Sequence, residues 1–230
     1  NRANRQGKML DAEIPPLINE AFEAASVTHE QYELLLADGW RHFGTYFFRY
    51  SLGVYEGGIR RVTPLRIRLA NFALSKSQRR VLRRNADLDV FIGPFKVLPE
   101  LHELFERHKQ RFSSGVPDTI YDFIARDNES SPTVLFEITA RQDGRLVAAS
   151  FFDLAANSVS AIYGCFDPTE TSRSLGIFTM LKVIEYATSL GFEFYYHGYA
   201  YEGSSFYDYK KGFSGLEQFD WQGNWKTITG

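Results

Sequence analysis

The sequence predicts an α+β protein in which helices flank a mixed, largely antiparallel sheet. Residues 133–141 and 146–155 read as two strands around a turn at Asp143 and Gly144, a pair typical of tight hairpins. Residues 158–166 read as a third strand, and the apolar residues of 177–190 recur at helical spacing. Hairpin strands that continue into a helix and a further strand fit one mixed sheet.

The end of the chain continues this order. Residues 192–200 are rich in aromatic side chains, as in a buried strand, and 204–213 is predicted as a short helix. A last strand is expected at 216–221, before a turn that contains Gly223.

The first half also mixes helices and strands. A helix is predicted at 29–38, where Gly39 can take the left-handed conformation that ends helices, and strands are predicted within 40–52 and 63–72. A second helix at 98–112 carries one apolar stripe formed by Leu101, Leu104, Phe105 and His108. The polar stretch at 125–132 predicts a boundary between an N-terminal α+β portion, 1–125, and a C-terminal domain, 126–230.

Positive charge is concentrated in one segment of the chain. The 230 residues have a formal net charge of −2, yet no acidic residue occurs between Glu56 and Asp87, where nine basic residues lie. The remainder carries 17 basic and 28 acidic residues. This asymmetry favours a polyanionic partner at one face of the protein.

The densest part of that segment is predicted to be a helix. Ser75 can cap its start, and Gln78 can complete a capping box. At helical spacing its basic side chains fall on one face: Lys76, Arg79, Arg80, Arg83 and Arg84. The like-charge pairs at i,i+4 cost stability, so binding of a nucleic-acid backbone is favoured over an ordinary solvated face or an acidic protein partner.

Composition argues against several classes of protein. No apolar run approaches the roughly 20 residues that span a bilayer, and no signal peptide is recognised. The single cysteine, Cys165, excludes an intramolecular disulfide framework and a thiolate zinc site, and the five histidines are scattered. We therefore expect a cytoplasmic protein without a membrane span, a bound metal or a cofactor.

The loop at 167–176 is the main candidate for chemistry. It places Arg173 and Ser174 at the start of the helix at 177–190, where free N–H groups attract anions. Arg173 and Gly176 resemble part of the pyrophosphate loop of the GCN5-related acetyltransferases (GNAT), but Phe178 stands where that loop needs a small residue. The mismatch argues against coenzyme A, and a plain capped helix with an exposed arginine is the alternative.

The aromatic segment at 192–213 has two interpretations. Most of its rings are expected in the core, but tyrosines at the end of a strand beside His197 and Lys210 can also line a polar pocket or stack on an unpaired base. No nucleophile has a neighbouring base, and Cys165 is expected to be a core residue. Any chemistry should therefore be direct transfer between two bound substrates.

Two separated motifs resemble the bacterial aspartate/glutamate leucyltransferases, relatives of the arginyltransferases. They are "TPLRIRLANFALSKSQRRVLRRNADL" at 63–88 and "FDPTETSRSLGIFTMLKVIEYATSLGFEFYYHGY" at 166–199, with "YDYKKGFSGLE" after them. The resemblance runs from about Tyr32 to Trp225. It implies transfer of an amino acid, of the arginine or leucine class, from aminoacyl-tRNA to the N-terminal residue of a protein in an N-degron pathway. It also implies a GNAT-like C-terminal domain that does not use coenzyme A, and tRNA as the ligand of the basic helix.

Site residues follow from the same resemblance. The positions that match the family pattern are expected to hold the aminoacyl end and the acceptor: Asp167, Arg173, Ser174, Gly176, Gly198, Tyr199, Tyr209 and Lys210. Attack of the acceptor amine on the ester requires oxyanion donors, expected near Ser174, and a proton acceptor, expected to be Tyr199 or His197.

Two departures from the family pattern limit this assignment. The cysteine-rich stretch of the family is missing, and Ala200 replaces the tryptophan of its Gly-Tyr-Trp motif, so the amino acid transferred is left open. An acyl-CoA-dependent N-acyltransferase and a tRNA-binding protein without catalysis are the alternatives.

Overall fold

A computed structural model describes residues 16–113 and 115–228 of the chain. Residues 1–15, which belong to the predicted N-terminal portion, lie outside the described residues. These residues form four α-helices: α1 at His29–Ala37, α2 at Lys76–Arg84, α3 at Pro99–Lys109 and α4 at Leu175–Ser189. Helices were predicted at all four places, and the observed ends differ from the predicted ones by at most two residues except at α3, which ends at Lys109 and not at residue 112.

A nine-stranded mixed sheet forms the body of the protein. Eight strands follow one another in the order β12-β11-β5-β10-β9-β8-β7-β6, and β4 also pairs with β5. All neighbours are antiparallel except β9 and β10, which are parallel. The strands are β4 Leu52–Tyr55, β5 Gly58–Arg68, β6 Asp89–Pro94, β7 Val134–Gln142, β8 Arg145–Leu154, β9 Ser158–Phe166, β10 Phe194–Tyr201, β11 Leu216–Phe219 and β12 Trp225–Thr227.

A small sheet lies beside the main one. It has the order β1-β3-β2, with β1 at Asn19–Glu23, β2 at Arg41–Phe43 and β3 at Tyr46–Tyr50. The predicted segment 40–52 is therefore broken into β2, β3 and the start of β4. The predicted short helix at 204–213 is a 3₁₀ helix at Phe206–Gly212.

Helices cover both faces of the main sheet. Alternate residues of β8 point to opposite sides, so Ala149 and Phe151 pack with α3, whereas Ala148 and Phe152 face α4. Helix α2 lies on the same side as α4 and buries Gln78 there. The α+β class with a mixed, mostly antiparallel sheet is confirmed.

The main sheet crosses the boundary predicted at residue 125. Strands β5 and β6 precede that boundary, yet β5 pairs with β10 and β11, and β6 pairs with β7. Leu65 and Ile67 of β5 share one core cluster with Ile138 and Ile184. The division at 125–126 stays a prediction about the organisation of the sequence, and the described parts on either side share a sheet and a core.

A buried ion pair ties β5 to β11. The Arg66 guanidinium donates to Glu217 at 2.7 Å and stacks over the Phe194 and Trp225 rings. Arg68 donates to the other oxygen of Glu217 at 2.9 Å. Both members of the Arg66–Glu217 pair are more than nine-tenths buried, so neither charge can turn to water if its partner is lost.

Replacing this carboxylate tests its role in stability. We expect Glu217→Gln to lower the free energy of unfolding by about 3–5 kcal/mol, because it leaves the buried Arg66 charge uncompensated. The matched control is Glu202→Gln, which removes an exposed partner of Arg61 on the same strand β5 and should cost less than about 1 kcal/mol. Equal losses in urea unfolding curves would contradict this account.

Candidate active site

The candidate site opens where the two parallel strands of the sheet part. Strands β9 and β10 pair only from Phe194 and Ser158 to Tyr196 and Ser160. Beyond that point β9 continues beside β8 and β10 continues beside β5. The gap between the two strands becomes the floor of a cavity.

This cavity is large enough for parts of two substrates. Its volume is about 940 Å³, and it is lined by the parted strands, the start of α4, the end of α3 and the 3₁₀ helix at Phe206–Gly212. The basic side chains in its lining are Arg41, Arg111 and Lys210, and the acidic side chain is Glu170. Glu170 accepts bonds from Arg145 and Arg173, so the cavity keeps a surplus of positive charge.

A β-bulge in β10 turns His197 toward the cavity. The register between β10 and β5 shifts between Tyr196 and Gly198, so His197 is the extra residue. Gly198 has φ of +91°, a conformation that glycine adopts without strain. The His197 ring is 4% exposed and lies edge-on to Tyr195 and Phe213. Neither of its ring nitrogens has a hydrogen-bond partner among the described residues.

Two cations bond the backbone on either side of the gap. Arg41 of β2 donates to the Ala161 carbonyl and, at 2.9 Å, to the Ser160 hydroxyl on the β9 side. Lys210 Nζ donates to the Tyr199 carbonyl of β10 at 2.8 Å. A Cβ placed on Gly198 would lie 3.6 Å from both Arg41 Nη2 and Lys210 Nζ, so the two cations converge on one point.

Burial and mutual repulsion change the titration of this group. Burial and, to a smaller extent, the Arg41 charge together lower the pKa of Lys210 to about 7. Burial also holds the pKa of His197 well below its usual value, helped by the charges of Lys210 and Arg41. The imidazole is therefore neutral at physiological pH and can exchange hydrogen bonds with a ligand.

A buried polar network holds Arg41 in place. The Ser160 hydroxyl that accepts a hydrogen bond from Arg41 also lies within hydrogen-bond distance, 2.9 Å, of Tyr32 Oη. Tyr32 donates to Asp153, which is fully buried and also contacts His42 Nε2 at 2.7 Å. Helix α1 and strands β2, β8 and β9 are thus joined behind the site.

The opposite wall of the cavity is the start of α4. The first helical bond runs from Phe178 N to Ser174 O, so the N–H groups of residues 175–177 precede the hydrogen-bonded ladder. Ser174 adopts the left-handed conformation with φ of +53°, and its side chain does not cap the helix. Gly176 allows the Phe166 ring to approach, because a Cβ there would be 3.2 Å from that ring.

Phe178 does not obstruct the helix start. The expectation that its ring would hinder a bound pyrophosphate is wrong, because the ring is 3% exposed and packs into the core cluster with Leu175 and Leu88. The Phe178 side chain therefore gives no reason to exclude coenzyme A.

Two predicted substrate-binding residues lie outside the cavity lining. The Arg173 guanidinium donates two hydrogen bonds to the Asp87 carboxylate, at 2.9 and 2.8 Å, and a third to Glu170. The buried carboxylate of Asp167 accepts from Arg145 at 2.6 Å and from Thr169. Both side chains are bonded to residues around the loop before α4. They hold that loop in place and do not face a ligand in the cavity.

Tyr199 and Tyr209 form parts of the cavity wall. The Tyr199 hydroxyl donates to the Gly39 carbonyl at 2.7 Å, and burial raises its pKa. Tyr199 was predicted as a possible proton acceptor. Its hydroxyl does not fit that role, because it is bonded to the Gly39 carbonyl and not directed at the cavity. Tyr209 is 44% exposed beside Phe206 on the 3₁₀ helix.

The basic face of α2 reaches the rim of the cavity. Its five cations, predicted as tRNA contacts, are exposed and have no carboxylate partner among residues 16–113 and 115–228. Arg84 donates to the Ser172 carbonyl, and Asn85 donates to the Arg173 carbonyl at 2.8 Å. The basic helix and the loop before α4, far apart in sequence, are therefore in direct contact.

Sequence reasoning missed two cavity residues. Arg41 lies in a three-residue strand with no recognisable motif, and only the tertiary fold carries it to the gap. Tyr163 places a buried hydroxyl without a partner in the described structure against the cavity. Cys165 is a core residue, as predicted: it is 1% exposed, and burial raises the pKa of its thiol to about 12.

Within the described part of the chain, no three His, Cys, Asp or Glu side chains are grouped as metal ligands are. No helix built from those residues has the length and apolar character of a membrane span.

The fold with its opened sheet is shared with a solved structure. FemX, a solved structure, superimposes with a TM-score of 0.52 and 11% identity over 86% of this chain and 70% of its own. This similarity concerns the fold and confirms the predicted GNAT-like architecture.

Sequence comparisons then give the family. Sequence models described as arginine-tRNA-protein transferase match residues 5–80 for the N terminus and 100–220 for the C terminus. An aspartate/glutamate leucyltransferase of Acinetobacter baumannii is 30% identical over 83% of this chain and 69% of its own length. One from Aeromonas hydrophila is 31% identical over 86% and 81%. The chain belongs to the arginine-tRNA-protein transferase family and is a transferase.

The lowered pKa of Lys210 predicts a specific pH dependence. Between pH 7 and 10 the unfolded chain keeps a proton that folded Lys210 has lost, so the free energy of unfolding should rise with pH. In this window the free energy of unfolding of the wild type, relative to that of Lys210→Met, should rise by up to about 1.4 kcal/mol per pH unit. Denaturant unfolding at pH 7, 8, 9 and 10 measures the difference.

The neighbouring residue supplies the control for this titration. Lys211 bonds the surface carboxylate of Asp208 at 2.7 Å, so Lys211→Met should not remove the rise. If the unfolding free energies of wild type and Lys210→Met change with pH in the same way, the pKa of Lys210 is not lowered in the folded protein.

Proposed function

We propose that this transferase moves leucine from leucyl-tRNA to the N-terminal α-amine of an acceptor protein that begins with an acidic residue. The observation that carries the proposal is the cavity between β9 and β10, which has helix-start N–H groups on one wall and the basic helix α2 at its rim. The relatives' name pairs aspartate and glutamate with leucyl transfer. A role in an N-degron pathway in the cytoplasm accords with this reaction.

The basic helix supports tRNA as the donor. Five exposed cations without acidic partners in the described chain fit a phosphate backbone, and the contact between Arg84 and Ser172 leads from that face to the cavity. Phe206 is 58% exposed and Tyr209 is 44% exposed at the cavity wall. Such rings can stack on the unpaired bases at the end of the tRNA.

The cavity lining favours leucine over arginine. Ile177, Met180 and Val183 supply an apolar surface on α4. An arginyl side chain needs an acidic partner when it leaves water. The carboxylate in the lining, Glu170, is already bonded to Arg145 and Arg173.

The reaction requires an unprotonated amine and a stabilised oxyanion. The amine nitrogen attacks the ester carbonyl carbon, the bond to the tRNA ribose oxygen breaks, and the amine proton is transferred to that leaving oxygen. The free N–H groups beside Ser174 can stabilise the oxyanion. The positive charge of Arg41 disfavours an ammonium beside it, and neutral His197 can accept a hydrogen bond from the amine.

Transfer assays with single charged tRNAs test this function. Labelled leucyl-tRNA should transfer its label to a peptide with N-terminal Asp, at a rate at least about 100-fold above that of arginyl-tRNA, since a buried unpaired guanidinium costs several kcal/mol. Acetyl-CoA in place of charged tRNA is the control arm. Label transferred from acetyl-CoA alone would support the N-acyltransferase alternative, and tRNA binding without any transfer would support a non-catalytic protein.

The basic helix gives a separate prediction. Arg80 and Arg83 have exposed side chains that form no hydrogen bond or ion pair within the described part of the chain, so Arg80→Ala/Arg83→Ala should weaken binding of all tRNAs equally. The slope of log affinity against log salt should fall by about 1.5, because two phosphate contacts are lost. Filter binding at several salt concentrations provides the measurement.

The control for this pair lies on the other face of the sheet. Lys109→Ala removes a cation of α3 that pairs with Glu106, and it should leave the salt slope unchanged. A change in amino-acid preference in the Arg80/Arg83 variant would contradict a purely electrostatic role.

A further inference from the structure

We propose that Arg41 and Lys210 bind the side-chain carboxylate of the acceptor's N-terminal residue and so select an acidic acceptor. This inference rests on the proposed function and assigns a specific subsite within it. Arg41 was not predicted from the sequence, and Lys210 was predicted only as a general substrate contact.

The two cations converge without an anion between them. Their nitrogens Nη2 and Nζ both lie 3.6 Å from the Cβ position of Gly198, so no more than about 7 Å separates them. Neither is paired with a carboxylate in the described chain. Neutral donors would serve equally well for the bonds to Ser160, Ala161 and Tyr199, so the bonds alone do not explain two basic side chains. A carboxylate bound between them would favour the protonated form of Lys210, which the free site loses near pH 7.

The nearby carboxylates have other partners. The Asp153 carboxylate accepts hydrogen bonds from Tyr32 and Thr133 at 3.1 and 2.7 Å, lies 2.7 Å from His42 Nε2, and is connected to Arg41 through the Tyr32 and Ser160 hydroxyls. Glu170 is held by Arg145 and Arg173. A bound anion would therefore find a site with uncompensated positive charge.

The orphan imidazole of His197 indicates that a ligand completes the site. Its two ring nitrogens are buried beside the cavity and bond nothing in the described structure, a costly state unless a bound group supplies the partner. The absence of a side chain on Gly198 leaves the space between Arg41 and Lys210 open. These two features, together with the cation pair, make a shaped pocket for a small anion.

A carboxylate on the acceptor residue fits this geometry. Its two oxygens, each accepting a charge-assisted bond of about 2.8 Å, can bridge nitrogens at this separation. In an N-terminal aspartate the α-amine lies only two carbons away from the carboxylate carbon. Binding of the side chain would hold that amine near His197, on the side of the cavity that faces the start of α4.

The same cations could instead meet a phosphate at the end of the tRNA. We favour the carboxylate because Arg41 and Lys210 lie at the floor of the gap between β9 and β10, whereas the exposed cations of α2 already offer a phosphate surface at the rim. The name of the leucyltransferase relatives also contains aspartate and glutamate, the two amino acids with a side-chain carboxylate. A phosphate would make the effect of these residues independent of the acceptor, so the two ligands can be separated by experiment.

The test compares acceptors that differ by one charge. Full-length protein is assayed with leucyl-tRNA and peptides that begin with Asp or Asn and are otherwise identical. We expect kcat/KM to favour Asp by at least about 100-fold in wild type. In Arg41→Gln and Lys210→Gln, which keep a donor for the backbone carbonyls, that ratio should fall at least tenfold.

Matched controls and folding measurements accompany the assay. Lys211→Gln changes the adjacent lysine, which bonds Asp208 and two carbonyls at the surface, and should keep the wild-type Asp/Asn ratio. Thermal unfolding of each variant identifies any that fail to fold. A ratio that stays at the wild-type value in folded Arg41→Gln and Lys210→Gln overturns the inference, and a raised KM for tRNA with every acceptor assigns the cations to a phosphate.

A binding arm separates this inference from the proposed function. Calorimetry without tRNA should show the tripeptide Asp-Ala-Ala binding wild type at least tenfold more tightly than Asn-Ala-Ala, and the two Gln variants should lose this preference. If transfer fails but the preference is found, the proposed function is wrong and the carboxylate subsite stands. If wild type binds both peptides equally, the subsite is wrong whatever the transfer assay gives.

Discussion

The parting of β9 from β10 is the constraint on which the rest of the structure depends. Two neighbouring strands that stop pairing inside a sheet leave backbone groups that need other partners. Arg41 and Lys210 supply donors on the two sides of the gap. The protein thus keeps an open cavity in the middle of its sheet, and the groups that keep it open also give it a positive floor.

Distant parts of the chain converge to hold this gap. Strand β2 brings Arg41, and the network from Ser160 through Tyr32 to Asp153 fixes it against α1 and β8. The 3₁₀ helix at Phe206–Gly212 brings Lys210 from the other side. Helix α2 is attached to the loop before α4 through Asn85 and Arg173, which places the basic face beside the cavity. The donor surface and the chemical site therefore form one continuous region.

Local sequence signals predicted the elements well because their causes are local. The capping box of Ser75 and Gln78, the Asp143-Gly144 turn and the glycine after α1 each act within a few residues, and all are present. Predictions of side-chain function were less successful where a partner is remote. Arg173 matched a substrate-binding motif but is bonded to Asp87, and the Tyr199 hydroxyl is bonded to Gly39. Motif matching identifies a position but not the direction of its side chain.

The sequence by itself determined the α+β class, the cationic helix and the membership of a transferase family, because these depend on spacing, charge and motifs within short segments. Only the tertiary structure decided that α2 touches the loop before α4, that the sheet crosses residue 125, and that Arg41 meets Lys210 above Gly198. These contacts join residues from about 40 to about 170 positions apart in the chain. Their formation depends on strand order and on where a pair of strands separates, and neither property is written in any single segment of the chain.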